Sequence, residues 1–328
     1  MNPSTLAVLA SAAYCAVAIT HVYRWRGRTR YPGFVEYLRK SWPVFAPLNC
    51  ILYACTPRRH RRAVLDADEL EGIHVLRENW ETIRDEALAL LEAGALDATA
   101  RPGSAGYHDL GFRTFYKRGW RKFYLSWYGD AHASARRLCP RTVQLIEQVP
   151  ALNAAMFSLL PPGATLSLHS DPLACSLRYH LGLQTPGVPE CFICVDGESL
   201  VWRDGQDFVF DETFPHHARN GSDAPRLILM CDVARPLNRA GRAFNRIYSL
   251  LPRAMTVPNT REDRRGAVSA LFAALAPVRD RALALKASHR RVYKALKFAL
   301  NTGLILLVFL AVYGALGLIT DLGNAVLS

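Results

Sequence analysis

Residues 154–183 read AAMFSLLPPGATLSLHSDPLACSLRYHLGL. Three apolar runs are separated by Pro161-Pro162-Gly163 and by Ser170-Asp171-Pro172. Short runs rich in Leu, aromatic and β-branched residues, bounded by such breakers, are strand signals. The texture continues downstream. CFICV (191–195) meets the turn Asp196-Gly197, and SLVW (199–202) meets Arg203-Asp204-Gly205. DFVF (207–210) and RLILMCDV (226–233) follow. About seven short strands with turns between them predict a β-sandwich or jelly roll, placed at residues 151–240.

Upstream the period changes. Leu70, Ile73, Leu76, Trp80, Ile83, Ala87 and Leu91 recur every three or four residues, which predicts a helix over 67–93. Pro140 opens another helix, with Val143, Ile146 and Val149 on one side. Residues 67–150 are thus expected to form a helical part ahead of a mostly β core.

Both ends of the 328-residue chain look like membrane segments. Residues 301–319 read NTGLILLVFLAVYGALGLI, and no charge falls between Lys297 and Asp321. That length crosses a hydrocarbon core about 30 Å thick, giving a transmembrane helix at 298–320. The Ala-rich stretch Thr5–Thr20 marks a second, at 1–23. A signal peptide would carry its positive charge before the apolar run. Here Arg24, Arg26, Arg28 and Arg30 come after it. Lys286, Arg290, Arg291, Lys294 and Lys297 precede the other segment. Both flanks place the middle of the chain on the cytoplasmic side of an inner membrane. Residues 24–66 are a juxtamembrane segment, in which Trp42–Cys55 is too short and Pro-broken to span. Residues 241–297 read as basic membrane-proximal helices, interrupted at Pro277.

The net charge of +12, from 40 Lys+Arg against 28 Asp+Glu, favours an anionic partner. No nucleic-acid motif accompanies it, so the membrane is the expected partner. No obligate protein partner is evident. The eight cysteines form no dense framework. Cys191 and Cys194 lie three apart on a strand, on opposite faces, and cannot complete a four-ligand zinc site. Structural cysteines in a reducing compartment fit best.

His169 and Asp171 stand two apart after a strand, so both side chains point one way. With one more histidine they make the two-His, one-carboxylate face of non-haem Fe(II) oxygenases. His216 or His217 can supply it, and spacing does not choose. A dicarboxylate co-substrate needs a bidentate cation, and Arg226 opens the last strand. Arg178 and His180 are again two apart on one strand of an otherwise apolar run, as lining residues would be. Ser158 sits on the strand before. The aromatic and basic stretch 116–128 reads as core packing, with a grip on an anionic headgroup as the alternative.

HSDPLACSLRYHLGL, WRDGQDFVFDETFPHHARN and RLILMCDVARP resemble, in order, the catalytic core of the aspartyl/asparaginyl β-hydroxylase family. HDLGFRTFYKRGWRKFYLSWY, LCPRT and FSLLPPG, with an apolar segment at each end, resemble its lipid A 2-hydroxylase branch. The resemblance implies a double-stranded β-helix (jelly roll) binding Fe(II), 2-oxoglutarate and O2. It assigns His169, Asp171 and His216 to iron, with His216 preferred over His217. Arg226 and Ser158 match positions that hold the distal carboxylate of 2-oxoglutarate, and Arg178 and His180 those near its other carboxylate. Peptidyl hydroxylases of the family carry Gly at the Asp171 position. Ser170 stands where the lipid A branch is expected to be basic. The implied reaction is hydroxylation at C2 of a secondary acyl chain of lipid A. Ornithine lipid or a peptidyl Asp/Asn substrate are the alternatives.

Overall fold

A computed structural model describes residues 3–112, 116–300 and 303. The chain divides into a unit His21–Ala273 and a unit formed by Met1–Thr20 with Ala274–Ser328. In the terminal unit, α1 (Pro3–Arg24, whose last turn runs on into the other unit) includes a segment, Thr5–Arg24, long and apolar enough to cross a membrane. Of the expected C-terminal transmembrane segment, 298–320, only residues 298–300 and 303 are among the described residues.

The larger unit begins with an arm carrying α2 (Phe34–Lys40) and α3 (Ala46–Cys55). The region expected to be one helix over 67–93 is two, α4 (His74–Glu78) and α5 (Trp80–Glu92). Gly72 sits at φ +76° in the left-handed region, and the Asn79 side chain caps the Val75 carbonyl at the break. The short helices α6 (Ala95–Ala100), α7 (Ala133–Leu138) and α8 (Pro140–Glu147) follow, with Pro140 opening α8 as predicted.

Two antiparallel sheets form the core. The short strands β1 (Val64–Leu65), β2 (Arg121–Trp127) and β3 (Asp130–Ala131) precede β4 (Leu152–Leu160), β5 (Thr165–His169) and β6 (Ser176–Gln184). Then come β7 (Cys191–Val195), β8 (Glu198–Val201), β9 (Asp207–Phe210), β10 (His216–Asn220) and β11 (Arg226–Ala234). The seven-stranded sheet runs β1-β9-β6-β11-β4-β2-β3, and the four-stranded sheet runs β5-β10-β7-β8. This is the jelly roll. The stretch expected to be helical therefore also supplies strands β2 and β3. Four helices follow the barrel: α9 (Arg239–Tyr248), α10 (Leu250–Ala254), α11 (Ala267–Ala274) and α12 (Ala276–Ser288). The helical stretch breaks at Leu275, between α11 and α12, with Pro277 in the first turn of α12, in line with the expected interruption.

Alternation along β11 sorts its side chains. Leu227, Leu229, Cys231 and Val233 pack outward with Leu76, Ile83, Ala87 and Leu96 of the helical layer. Each such buried aliphatic side chain contributes about 1.5–3 kcal/mol. Arg226, Ile228, Met230 and Asp232 therefore point inward. Ile228 and Met230 join Tyr124, Met156, Phe210 and, from the smaller sheet, Cys191, Ile193 and Val195. Gly182 is required by proximity, since a Cβ there would lie 2.0 Å from the Arg203 carbonyl.

Candidate active site

The inward face of the larger sheet is polar at its centre. Register places Ser158 opposite Ile228, His180 opposite Met230, and Arg178 opposite Asp232. Directly paired residues share a face, so Ser158, Arg178, His180, Arg226 and Asp232 share the inward face of the sheet.

On the facing sheet, β10 pairs with β5 so that His216 lies opposite His169. Their ring centroids are 4.2 Å apart, and His169 Nε2 is 3.5 Å from Asp171 Oδ1. One ligand atom from each of His169, Asp171 and His216 falls within 4.8 Å of the others. Register makes the choice that spacing left open. His217 points to the other face of β10, where its ring meets Phe192.

The donor set fits a divalent metal. His169 Nδ1 bonds the Ser167 carbonyl at 3.0 Å, and His216 Nδ1 bonds the Phe214 carbonyl at 2.9 Å. Each bond fixes the tautomer and leaves Nε2 as a lone-pair donor. Burial and the neighbouring His169 push His216 down to about 3, so its imidazole is neutral. Burial raises the Asp171 carboxyl, but His216, Arg178 and His169 outweigh it and hold the group below its usual value. Two neutral imidazoles and a carboxylate are the set a non-haem Fe(II) site uses.

Arg226 is 1% exposed. Its Nε and Nη2 have no hydrogen-bond partner among the described residues, and no carboxylate pairs with it there. The guanidinium lies 4.5 Å from the Trp202 ring centre and 5.5 Å from that of Trp120. Burial, opposed only by Cys191, pulls it down to about 9. The Ser158 hydroxyl is fully buried and also unpartnered. Trp202 Nε1 donates to His180 Nδ1 at 3.2 Å, which leaves a proton on His180 Nε2, a buried donor with no partner. Three orphaned donors on one face are costly unless an anion meets them. That is the requirement of a bound dicarboxylate.

Arg178 is placed differently. It binds Asp171 Oδ2 at 3.2 Å, Asp232 Oδ1 at 3.2 Å, and Glu212. Burial lowers this guanidinium, but the three carboxylates outweigh it and hold it well above its usual range. Burial raises both Glu212 and Asp232. Tyr128 donates to Asp232 at 3.2 Å, and Ser176 to Glu212 at 3.2 Å. Arg178 therefore orients the Asp171 carboxylate. The sequence reading passed over Glu212 and Asp232, although a carboxylate inside the apolar run RLILMCDV was the signal.

The arm grips the loop that carries two of the ligands. Tyr31 and Ser170 hydroxyls are 2.8 Å apart, and the Ser170 N–H donates to the Lys40 carbonyl at 3.0 Å. Lys40 Nζ donates to Ser167 Oγ at 2.9 Å. Asn49 Nδ2 donates to the Pro172 carbonyl at 2.9 Å, and its Oδ1 accepts from Ala174 N–H at 3.0 Å. Ser170 is thus a buried contact to the arm. Arg26, counted above with the membrane flank, pairs with Asp211 at 2.8 Å between the rings of Tyr53 and Phe214. Asp211 also binds Arg235 at 2.8 Å. In the aromatic and basic stretch, Trp120, Tyr124 and Tyr128 are buried, and Lys122 pairs with Asp109 at 2.7 Å.

The chain is similar to known hydroxylases. Over 144 residues the chain is 33% identical to an ornithine lipid ester-linked acyl 2-hydroxylase of Rhizobium tropici, covering 44% of this chain and 50% of that one. It is 30% identical over 171 residues to human aspartyl/asparaginyl β-hydroxylase, covering 51% and 21%. Aspartate β-hydroxylase domain-containing protein 2 of Xenopus tropicalis is 33% identical over 173 residues, covering 50% and 44%. The chain thus spans half or less of the length of these relatives. Residues 77–236, which hold all three clustered side chains and every orphaned donor described above, match the profile of the aspartyl/asparaginyl β-hydroxylases, and this part of the chain is similar to that family.

Proposed function

We propose that this protein is a membrane-held Fe(II)- and 2-oxoglutarate-dependent dioxygenase that hydroxylates C2 of an ester-linked acyl chain, with a secondary chain of lipid A as substrate. The observation that carries the reading is the pairing of a complete His169, Asp171, His216 set with orphaned buried donors on the opposite wall. Bound Fe(II) with 2-oxoglutarate and O2 supplies an oxidative decarboxylation, which yields succinate, CO2 and one oxygen atom for the C–H bond. The protein's own residues do the positioning. His169, Asp171 and His216 hold the metal. Arg226 and Ser158 take the distal carboxylate, and His180 Nε2 donates near the other. Arg178 fixes the Asp171 carboxylate, leaning on Glu212 and Asp232.

The apolar helix α1 supports placement at a membrane. The exposed Arg24, Arg28 and Arg30 at its end support a cytoplasmic catalytic unit. A second substrate reading, an ornithine lipid, is favoured by the Rhizobium relative.

Mass spectra of total lipid and lipid A from cells expressing the chain, beside a His216→Ala control, test the proposal. One added oxygen on lipid A, absent from the control, is the expected result. The same shift on an aminolipid changes the substrate and keeps the chemistry. No shift on any lipid sinks the lipid reading and directs attention to peptide substrates.

A further inference from the structure

The arm has two sides of opposite character. Its buried side holds residues 167–174 through Tyr31, Lys40 and Asn49. Its outer side is apolar. In α2, Tyr37 is buried, while Phe34, Val35 and Leu38 are 49, 69 and 47% exposed. Trp42, Val44 and Leu48 continue this surface at 51, 69 and 38%. Amphipathic helices in water present polar residues outward, whereas α2 exposes Phe34, Val35 and Leu38 alongside Arg39. Trp42 is held at φ +51°, a left-handed conformation that bulky residues avoid. Beside the arm, α9 packs on α3, and Ile247 and Leu250 are 72 and 57% exposed. Isolated exposed apolar side chains are ordinary, but a run of this extent marks a docking surface.

Charge identifies the occupant. Residues 24–62 contain ten Lys or Arg and one acidic residue, Glu36. Residues 234–261 contain six Arg and no acidic residue. Arg26 and Arg235 are internal, bound to Asp211, which leaves fourteen cations against one anion across these two segments. The arm also continues directly from α1, the apolar segment. Aromatic and aliphatic side chains set among basic ones suit the interface of an anionic bilayer.

We propose that α2, the Trp42–Leu48 segment and the Ile247–Leu250 edge dock on an anionic bilayer surface, placing the mouth of the metal site at the headgroup boundary. This deepens the proposed lipid hydroxylation and rests on it for its purpose. Surface helices sink about 5–10 Å into the headgroup and acyl boundary. C2 of an ester-linked chain lies next to the ester carbonyl, at that same depth. A face docked there reaches C2 without drawing the chain out of the bilayer. The hydrogen bonds from Tyr31, Lys40 and Asn49 fix the distance between the docked face and the ligand loop.

The test uses the full chain in nanodiscs of phosphatidylglycerol and phosphatidylcholine brominated near the ester. Membrane attachment is not the readout, because α1 would supply it. Trp25 adjoins α1, so the comparison is Trp25→Phe against Trp25→Phe/Trp42→Phe. The emission lost with Trp42 is expected to be the part that bromine quenches. Trp42 emission insensitive to brominated lipid overturns the proposal, whether or not any lipid is hydroxylated. For the enzyme, Val35→Glu/Leu38→Glu is expected to slow hydroxylation of nanodisc-embedded lipid by about tenfold. Turnover of the same lipid dispersed in detergent is expected to stay unchanged. Equal loss in both settings, or no loss in nanodiscs, also overturns it.

Discussion

Replacing Arg226 by methionine separates the two demands placed on that side chain. In the folded protein it is a buried cation with no described carboxylate beside it, held down to about 9 by burial. A displacement of that size is worth on the order of 5 kcal/mol at neutral pH, opposing folding. Neutral side chains of similar volume in place of buried ionic groups often stabilise by roughly 1–4 kcal/mol. The protein without co-substrate should therefore become more stable, by an amount in that range. Binding should suffer in the opposite sense. Two charge-assisted hydrogen bonds to one carboxylate are worth roughly 1.5–3 kcal/mol each. Their loss should weaken 2-oxoglutarate by roughly 10²–10⁴-fold. Urea unfolding, with and without 2-oxoglutarate and a redox-inert divalent ion under argon, reads both effects. At a hundred times Kd the parent should gain about 2.7 kcal/mol from the ligand, and the variant none. A variant less stable than its parent, or one still stabilised by 2-oxoglutarate, refutes the assignment. The pH dependence follows the same logic. Above about 9 the folded apoprotein releases the Arg226 proton while the unfolded chain keeps it. Apoprotein stability from this group rises as pH climbs through that window, and 2-oxoglutarate affinity falls.

Four further substitutions probe the rest of the site. Asp171→Ala and His216→Ala should each abolish tight divalent-metal binding, measured by calorimetry, and no lipid product should form; retained tight binding in either variant would remove that residue from the ligand set. Asp211→Ala strips the shared carboxylate from Arg26 and Arg235, two cations left buried, and should cost on the order of 3–5 kcal/mol in urea unfolding. Asn49→Ala removes bonds to Pro172, Ala174 and Tyr248. About 2–4 kcal/mol of stability should go with them. Metal affinity should fall by roughly tenfold, since these bonds hold the ligand loop, and an unchanged affinity would show that the loop needs no such support.

The strands of residues 152–234 were legible because apolar runs and turn residues alternate at short spacing. Strand β10 was not. HHARN carries no β-branched residue, and only its pairing with Cys191–Val195 and with β5 makes it a strand. Strand β2, RKFYLSW, opens on two basic residues, and Lys122 is buried only because Asp109 meets it. At the site, His169 and Asp171 were visible as a two-residue spacing at a strand end. The choice between His216 and His217 needed the register of two strands. The partners of Arg178 lie 34 and 54 positions further along the chain, at Glu212 and Asp232, so no local pattern could announce them. Arg26 looked like part of a uniform basic flank, and only the fold distinguishes it from exposed Arg24 and Arg28.

The two-residue strand β1 and the Arg26 ion pair bear on where this enzyme can be cut. Val64 and Leu65 pair with Phe210 and Val209 at the sheet edge, just before Asp211. A fragment trimmed to the matched span 77–236 would uncover that edge, strand an internal aspartate with half its counter-charge, and leave the ligand loop without its outer brace. Expression of a soluble version therefore has to begin near His21, not at the helical layer. Any chimera built on this barrel must carry the arm along with it.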